Sequence, residues 1–290
     1  MKKKNLIFFL PNFSSGGAGK SIFNICKNLN KKKYSIFILS LTKNFYKKDF
    51  LRFGIKVIEL NQKSTFFSMK KIQTFLNNFD KTKTIIISNI NYANALFVIY
   101  FKILDKFKLV LIERTPFQEL NIYYDLSDFI KKLITKIIIK FFYKKADYIV
   151  GNSKKIADDF TTVTKKKCKY IYPLTLDKII KNKKKKNSPK GLINILTIAR
   201  LSREKNLLVQ IKAIKILQKN KIFLNILGDG KLKNQYNYYI RKNKISCKIT
   251  SYSDKKKIKL LKKSHIYICS SLFEGFPNAV VEAINYNLPV

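Results

Sequence analysis

HIYICSSLFEGFPNAVVEAINYNLPV, residues 265–290, carries the densest structural information in the chain. Its opening residues, His265 to Cys269, form an apolar run of strand type. Pro277 suits the first turn of a helix, because the N–H it lacks would be orphaned there in any case. Strand, loop and helix start, in that order, describe an α/β unit with a ligand site at its turn. Glu274 falls in the loop and Glu282 about one and a half turns into the helix. Two carboxylates thus bracket a helix N-terminus, a place that favours bound anions. A carboxylate accepts two hydrogen bonds from a vicinal diol, as in a ribose or a hexose. The combination points to a nucleotide sugar.

Working outward, the same alternation repeats. Residues 192–198, 222–227, 247–249 and 266–269 read as strands, with helical spacing over 206–219, after Gly230 and over 255–263. In the N-terminal half, apolar runs at 6–10, 34–41, 55–60, 84–88, 108–112 and 148–150 read as strands separated by helical segments. Such alternation means parallel sheets covered by helices. Between the halves, KIIKNKKKKNSPKG at 178–191 is charged, contains Pro and Gly, and cannot pack, so it reads as a basic linker. The expected architecture is α/β: two Rossmann-like domains, 1–177 and 192–290, facing across a cleft at the carboxyl ends of their strands. The second pattern stops before a further strand and closing helices, so that domain is expected to be incomplete, as in a truncated relative of a longer chain.

The 290 residues include 46% apolar and 13% aromatic residues, enough for two real cores. Sixty Lys and Arg against seventeen Asp and Glu leave a formal charge of +43, which draws the chain to polyanions: nucleic acid, anionic membrane or phosphorylated substrates. A bias toward lysine at every solvated position accounts for a large share of that charge. Cys26, Cys168, Cys247 and Cys269 form no C-x-x-C pair, and His265 is the single histidine, so a zinc site lacks ligands. The cysteines read as small buried apolar residues of a protein in a reducing cytoplasm. Lys2, Lys3 and Lys4 precede an apolar run that ends at Pro11, too short for a secretion signal. No uncharged apolar stretch is long enough to span a bilayer.

The last seventeen residues resemble the donor-site signature of the retaining glycosyltransferases of family 4, EGFPxxxxEAxxxGxPV. Glu274, Gly275, Phe276, Pro277, Glu282, Ala283, Pro289 and Val290 stand in register, with Asn278 inside the motif. Asn287 replaces the usual glycine and shares its tolerance of left-handed backbone. ARLSREKN at 199–206 resembles the family's GRLxxEKN segment, which makes Arg200 and Lys205 the basic pair for the donor diphosphate. Fixed cations there stabilise the negative charge that develops as a nucleoside diphosphate departs. Gly228-Asp229-Gly230 resembles the family's GDG turn, a sharp reversal that relatives place near the nucleotide. SSGGAGKS at 14–21 nearly spells a P-loop, yet Ser14 stands where that motif needs glycine. It is more similar to the GGAG segments of family 4, in which Gly16 and Gly17 let backbone approach the donor diphosphate or the acceptor.

Four further segments are less decisive. ADYIVGNS at 146–153 is similar to the family's ADxIVxxS strand, with Ser153 as a helix cap. IERTP at 112–116 looks like the SERND turn of surface-polysaccharide transferases, and Glu113 and Arg114 either face the cleft or form a structural pair. Asp158 and Asp159 fall inside a helix and read as a solvated face rather than a metal pair. Residues 129–145 have apolar pairs at 129/130, 133/134, 137/138 and 141/142 and lysines at 132, 136, 140 and 144. Such a basic amphipathic helix can make peripheral contact with an anionic membrane. The family topology favours the other reading, a helix packed on the sheet with snorkelling lysines.

The resemblance implies a GT-B transferase that moves a sugar, with retention, from a nucleotide diphosphate sugar to a glycan or lipid-linked acceptor of surface-polysaccharide type. It implies no cofactor and metal-independent chemistry, at the inner face of a membrane or in the cytoplasm. Arg200 and Lys205 would hold the leaving diphosphate, Glu274 the donor sugar and Glu282 the ribose. Gly16, Gly17, Gly228, Asp229, Gly275, Phe276, Pro277 and Asn278 would complete the donor site. Two other readings stay open: an inactive truncated relic, and a basic nucleic-acid-binding protein. The latter predicts a binding module or an aromatic platform that the sequence does not contain, so no specific nucleic-acid partner is expected.

Overall fold

A computed structural model describes residues 3–13, 16–176, 179–180, 191–217 and 221–290. The chain divides into two compact units, Met1–Thr175 and Leu176–Val290. Residues 178 and 181–190 of the expected linker lie outside the described residues.

The strands of the first unit are β1 (Lys4–Phe9), β2 (Tyr34–Ser40), β3 (Lys56–Glu59), β4 (Thr84–Asn89), β5 (Lys108–Glu113), β6 (Tyr148–Gly151) and β7 (Lys169–Tyr170). They form one parallel sheet in the order β3-β2-β1-β4-β5-β6-β7. β1 sits between β2 and β4 because its apolar run has two faces to bury. Leu6, Phe8 and Leu10 pack with Ile22 and Ile36 on one side, and Ile7 and Phe9 with Ile86 and Phe97 on the other. A strand covered on both faces needs such a continuous run. The helices are α1 (Gly17–Asn28), α2 (Lys47–Arg52), α3 (Met69–Leu76), α4 (Asn91–Phe97), α5 (Leu126–Phe142) and α6 (Lys154–Thr164), with a π turn at Val98–Leu104 extending α4. Ser153 caps α6 as the sequence predicts, its side chain accepting from the Ile156 N–H.

α5 packs on the core of the first unit through Ile139, with Ile138 and Phe142 against it, but leaves the rest of its apolar residues outside. Only Thr135 and Ile139 of this helix are buried, while Leu126, Ile130, Leu133, Ile137 and Phe141 are exposed. The reason is geometric. Apolar residues occupy more than half of its circumference, and a helix lying against α4 and α6 buries a single stripe.

The second unit contains β8 (Ile193–Ile198), β9 (Ile222–Leu227), β10 (Cys247–Thr250) and β11 (Ile266–Tyr267), with α7 (Leu207–Leu217), α8 (Lys233–Lys242), α9 (Asp254–Lys263) and α10 (Asn278–Asn285). Its sheet is parallel in the order β10-β9-β8-β11. Both units therefore share one winding, in which the first strand pairs with the second on one side and with the fourth on the other. Ile195 of β8 packs with Leu207 and Ile211 of α7, and Leu196 with Ala283 of α10, so α7 and α10 cover opposite faces. The loops leaving β8 and β11 consequently diverge, and the crevice between them is where such sheets bind ligands. α10 starts at Asn278 with Pro277 as its N-cap, one residue later than the sequence suggests. Asn287 takes a left-handed φ of 61°, the conformation its amide tolerates. Among the described residues no helix is long and apolar enough to cross a membrane.

Candidate functional site

The divergence of the loops after β8 and β11 brings together two segments far apart in sequence. After β8 the chain runs through Ala199–Leu201 into a single 3-10 turn, Arg203–Lys205, closed by Asn206 in the left-handed region at φ 49°. This turn aims Lys205 at the loop after β11, where its Nζ lies 2.7 Å from Glu274 Oε1. Ser271 Oγ donates to the same carboxylate oxygen at 2.7 Å. The two charged side chains keep 19% and 30% of their surface exposed, so the pair is reachable from solvent. It lines a cavity of about 160 Å³ together with Thr197, Tyr267, Cys269 and the start of α10, Phe276 to Val280. Whole-ligand pockets run to roughly 300–1,000 Å³, so this space suits part of a ligand, such as a phosphate or one sugar ring.

A buried polar chain holds the turn in place. Ser270 Oγ donates to the Lys205 carbonyl at 2.9 Å and lies 3.1 Å from that of Asn206. Gln210 Nε2 donates to Ser270 Oγ at 2.8 Å, and Thr197 Oγ1 donates to Gln210 Oε1 at 2.6 Å. Leaving one such buried group unpaired costs about 1–3 kcal/mol, so the network specifies a single register for Lys205. The sequence reading missed it, though Gln210 gave a signal: it occupies a core position of α7, on the face of Leu207, Ile211 and Ile214.

Gly228 and Gly230 act on the same loop from beneath. A Cβ on Gly228 would stand 1.9 Å from the Ala199 carbonyl oxygen, and one on Gly230 2.4 Å from that of Leu201. Leu201 N–H donates to the Asp229 carbonyl at 2.9 Å, and Leu232 N–H donates to that of Leu201 at 3.2 Å. Backbone meets backbone here, an approach that only glycine permits. The Asp229 carboxylate is occupied by Lys233 Nζ at 2.7 Å and the Tyr252 N–H at 2.9 Å, which hold its pKa below the usual range. Arg200 is exposed beyond the end of β8 and lies outside the cavity wall, with no described carboxylate within 4.0 Å.

Glu282 also lies off the cavity, about one turn into α10. Its Oε1 is 2.9 Å from Nζ of Lys257, a lysine of α9 whose side chain is only 9% exposed. Burial disfavours the Lys257 ammonium, but Glu282 and Asp254 outweigh that and raise its pKa. Lys257 was not foreseen, because in so lysine-rich a chain no single lysine stands out. Gly275 lies in the loop between Glu274 and Phe276. Cys26 and Cys247 are buried as expected and Cys168 half-buried, but Cys269 is exposed on the cavity wall, because β11 ends at Tyr267 and releases the chain before it. Among the described residues no three His, Cys, Asp or Glu side chains are grouped to hold a metal ion.

Gly16 and Gly17 belong to the first unit, at its own switch point between β1 and β4: Gly16 is the N-cap of α1 and Gly17 its first residue. Ser14 and Ser15 lie outside the described residues. In the same unit, Glu113 at the end of β5 is fully buried. Its Oε1 accepts from Asn94 Nδ2 at 2.7 Å and from the Tyr143 hydroxyl at 2.9 Å. No described cation lies within 4.0 Å of it, and burial pushes its carboxyl up to about 8 against those two hydrogen bonds. Arg114 turns the other way, donating from Nε and Nη2 to Asn89 Oδ1 at 3.1 and 2.9 Å. Its pKa is lowered to about 10 by burial. Glu113 and Arg114 therefore do not form the structural pair, and the acid points into the core.

Residues 178–290 match the sequence profile of glycosyl transferases group 1. An uncharacterized glycosyltransferase of Methanocaldococcus jannaschii is 35% identical over 176 residues, covering 54% of this chain and 43% of that protein. N-acetylgalactosamine-N,N'-diacetylbacillosaminyl-diphospho-undecaprenol 4-alpha-N-acetylgalactosaminyltransferase of Campylobacter jejuni is 31% identical, over 52% of this chain and 42% of that protein. The matches thus span less than half the length of these curated relatives. Among solved structures, Anabaena HepE in complex with UDP and glucose superposes with a TM-score of 0.73 at 16% identity, covering 99% of this chain and 80% of that one. A glycosyltransferase from Rickettsia africae gives a TM-score of 0.65 at 16% identity, covering 99% and 78%. At such identities the likeness shows the fold, two Rossmann-like units of the GT-B type.

Proposed function

Taking residues 178–290 as belonging to glycosyl transferases group 1, we propose that the chain moves a sugar from a nucleoside diphosphate sugar to an acceptor hydroxyl, with retention at the anomeric carbon. The observation that carries this reading is the Lys205–Glu274 pair at 2.7 Å, set on a cavity wall at the switch point of the second sheet. Lys205 is the cation for the leaving diphosphate, with the exposed Arg200 as its second arm. The start of α10 adds the positive end of a helix dipole. Glu274, oriented by Lys205 and Ser271, accepts hydrogen bonds from the donor sugar. Glu282, fixed by Lys257, accepts them from the ribose. The bond from the anomeric carbon to the phosphate oxygen breaks, the acceptor oxygen attacks the face the diphosphate leaves, and a departing phosphate oxygen takes the acceptor's proton. Stabilising that charge with preplaced cations is worth about 10²–10³ in turnover per group. The lipid-diphosphate acceptor in the name of the Campylobacter relative supports a lipid-linked glycan as the acceptor class.

Calorimetric titration of the full chain with UDP and with GDP, at moderate salt, tests this reading. Saturable binding that Lys205→Ala and Glu282→Ala both weaken is expected, with UDP also slowing thiol modification of Cys269. Binding that both variants retain and salt abolishes would instead report nonspecific attraction to a +43 chain.

A further inference from the structure

The outward stripe of α5 is too apolar to face water for no purpose. Leu126, Phe129, Ile130, Leu133, Ile137 and Phe141 are 37% to 72% exposed and share one side of the helix, opposite Thr135 and Ile139. The turn before it adds Tyr123 and Tyr124, both about half exposed, and the Tyr123 ring packs edge-on against Phe129 at 4.9 Å. We propose that α5 and this turn form the surface by which the chain docks on an anionic lipid bilayer.

The charges around the stripe select that occupant. Lys136 and Lys140 lie along its flank and Lys144 and Lys145 follow its end, so a basic margin borders the apolar band. Lys132 is committed elsewhere, to Asp128 at 2.9 Å and to the Ile122 carbonyl, and Lys131 sits 3.9 Å over the Tyr92 ring. Lys132 ties the helix to the turn before it and Lys131 ties it to α4, which leaves the marginal lysines to meet phosphate headgroups. Tyrosines at one end and lysines along the edge match the layering of a membrane interface, where aromatic rings sit at headgroup depth. Seventeen residues span about 25 Å as a helix, and with these lysines the segment lies in the interface plane instead of crossing it. A second copy is the poorer occupant. A twofold contact through this face would set the marginal lysines of one copy against those of the other. The net charge of +43 adds long-range attraction to an anionic leaflet.

The chain contains no tryptophan, so Leu133→Trp places a single indole reporter in the stripe. With vesicles of phosphatidylcholine carrying about one-third phosphatidylglycerol, its emission is expected to shift to the blue and become shielded from acrylamide. The triple variant Phe129→Ser, Leu133→Ser, Ile137→Ser keeps the net charge and is expected to cosediment with those vesicles at least about tenfold more weakly. It should melt where the parent does and titrate UDP unchanged, which separates this surface from the donor site. Full vesicle binding by the triple variant, with no blue shift at position 133, would show charge attraction alone and overturn the proposal. So would a blue shift without lipid accompanied by a doubled sedimenting mass, the signature of a copy-to-copy interface.

Discussion

Glu113 ends an interior strand of one parallel sheet and Glu274 lies in the loop after an edge strand of the other, and the two units treat them in opposite ways. Glu113 is sealed in the first unit beside Asn94 and Tyr143 with no described ion pair, and burial lifts its pKa to about 8. Glu274 keeps 30% of its surface and is paired with Lys205 on a cavity wall. A carboxyl buried among neutral donors becomes part of the scaffold, because its charged form is disfavoured. One that shares a partly wet wall with an ammonium stays within reach of a ligand. The same residue type near a strand's carboxyl end is thus locked into the scaffold in one unit and left within reach of a ligand in the other.

The sharpest test of that contrast is Glu113→Ala, which strands the buried Asn94 amide and Tyr143 hydroxyl. The first unit's unfolding transition in urea should lose about 3 kcal/mol, with Glu113→Gln recovering most of it and UDP affinity untouched by either. Lys205→Ala should do the reverse, weakening UDP about tenfold or more, or about 1.4 kcal/mol, with the melting point preserved. pH supplies the third test. Below the ordinary carboxylate range Glu113 is protonated folded or unfolded; as pH rises the unfolded form ionises first, so the folded state binds the extra proton and loses stability until about pH 8. That slope should reach up to about 1.4 kcal/mol per pH unit and flatten in Glu113→Gln; an unchanged slope in the variant would break the comparison. The smallest effect is expected of Glu274→Gln, because exposed ion pairs contribute little: stability within about 0.5 kcal/mol of the parent, with turnover reduced.

Much of this was legible in the sequence. The apolar run of β1 announces a strand covered on both faces, and the strand-loop-helix order of residues 265–290 locates the crevice. Lys205 and Glu274, 69 positions apart, could be connected because both follow strands that flank one switch point. What the sequence withheld depended on partners it does not mark. Glu113 read as either a cleft residue or half of an ion pair, because its true partners lie 19 positions back and 30 ahead. The inward stripe of α5 is chosen by α4 and α6, not by its own pattern of apolar residues. β7 is two residues long, too short to leave any periodicity, and Lys257 is hidden among a majority of solvated lysines.

β1 is made before the other described strands of its sheet, yet it lies between β2 and β4. Its ladder to β2 can close once residue 40 has been made, but its other edge waits for β4 at Thr84–Asn89. Until then the backbone of an intensely apolar strand stands open to any extended chain nearby. Each parallel pairing also needs a crossover, so native contacts are distant in sequence and folding is slow. Synthesis order thus imposes a vulnerable interval on the first unit. The dense cationic surface, by keeping nascent chains apart, shields that interval as well.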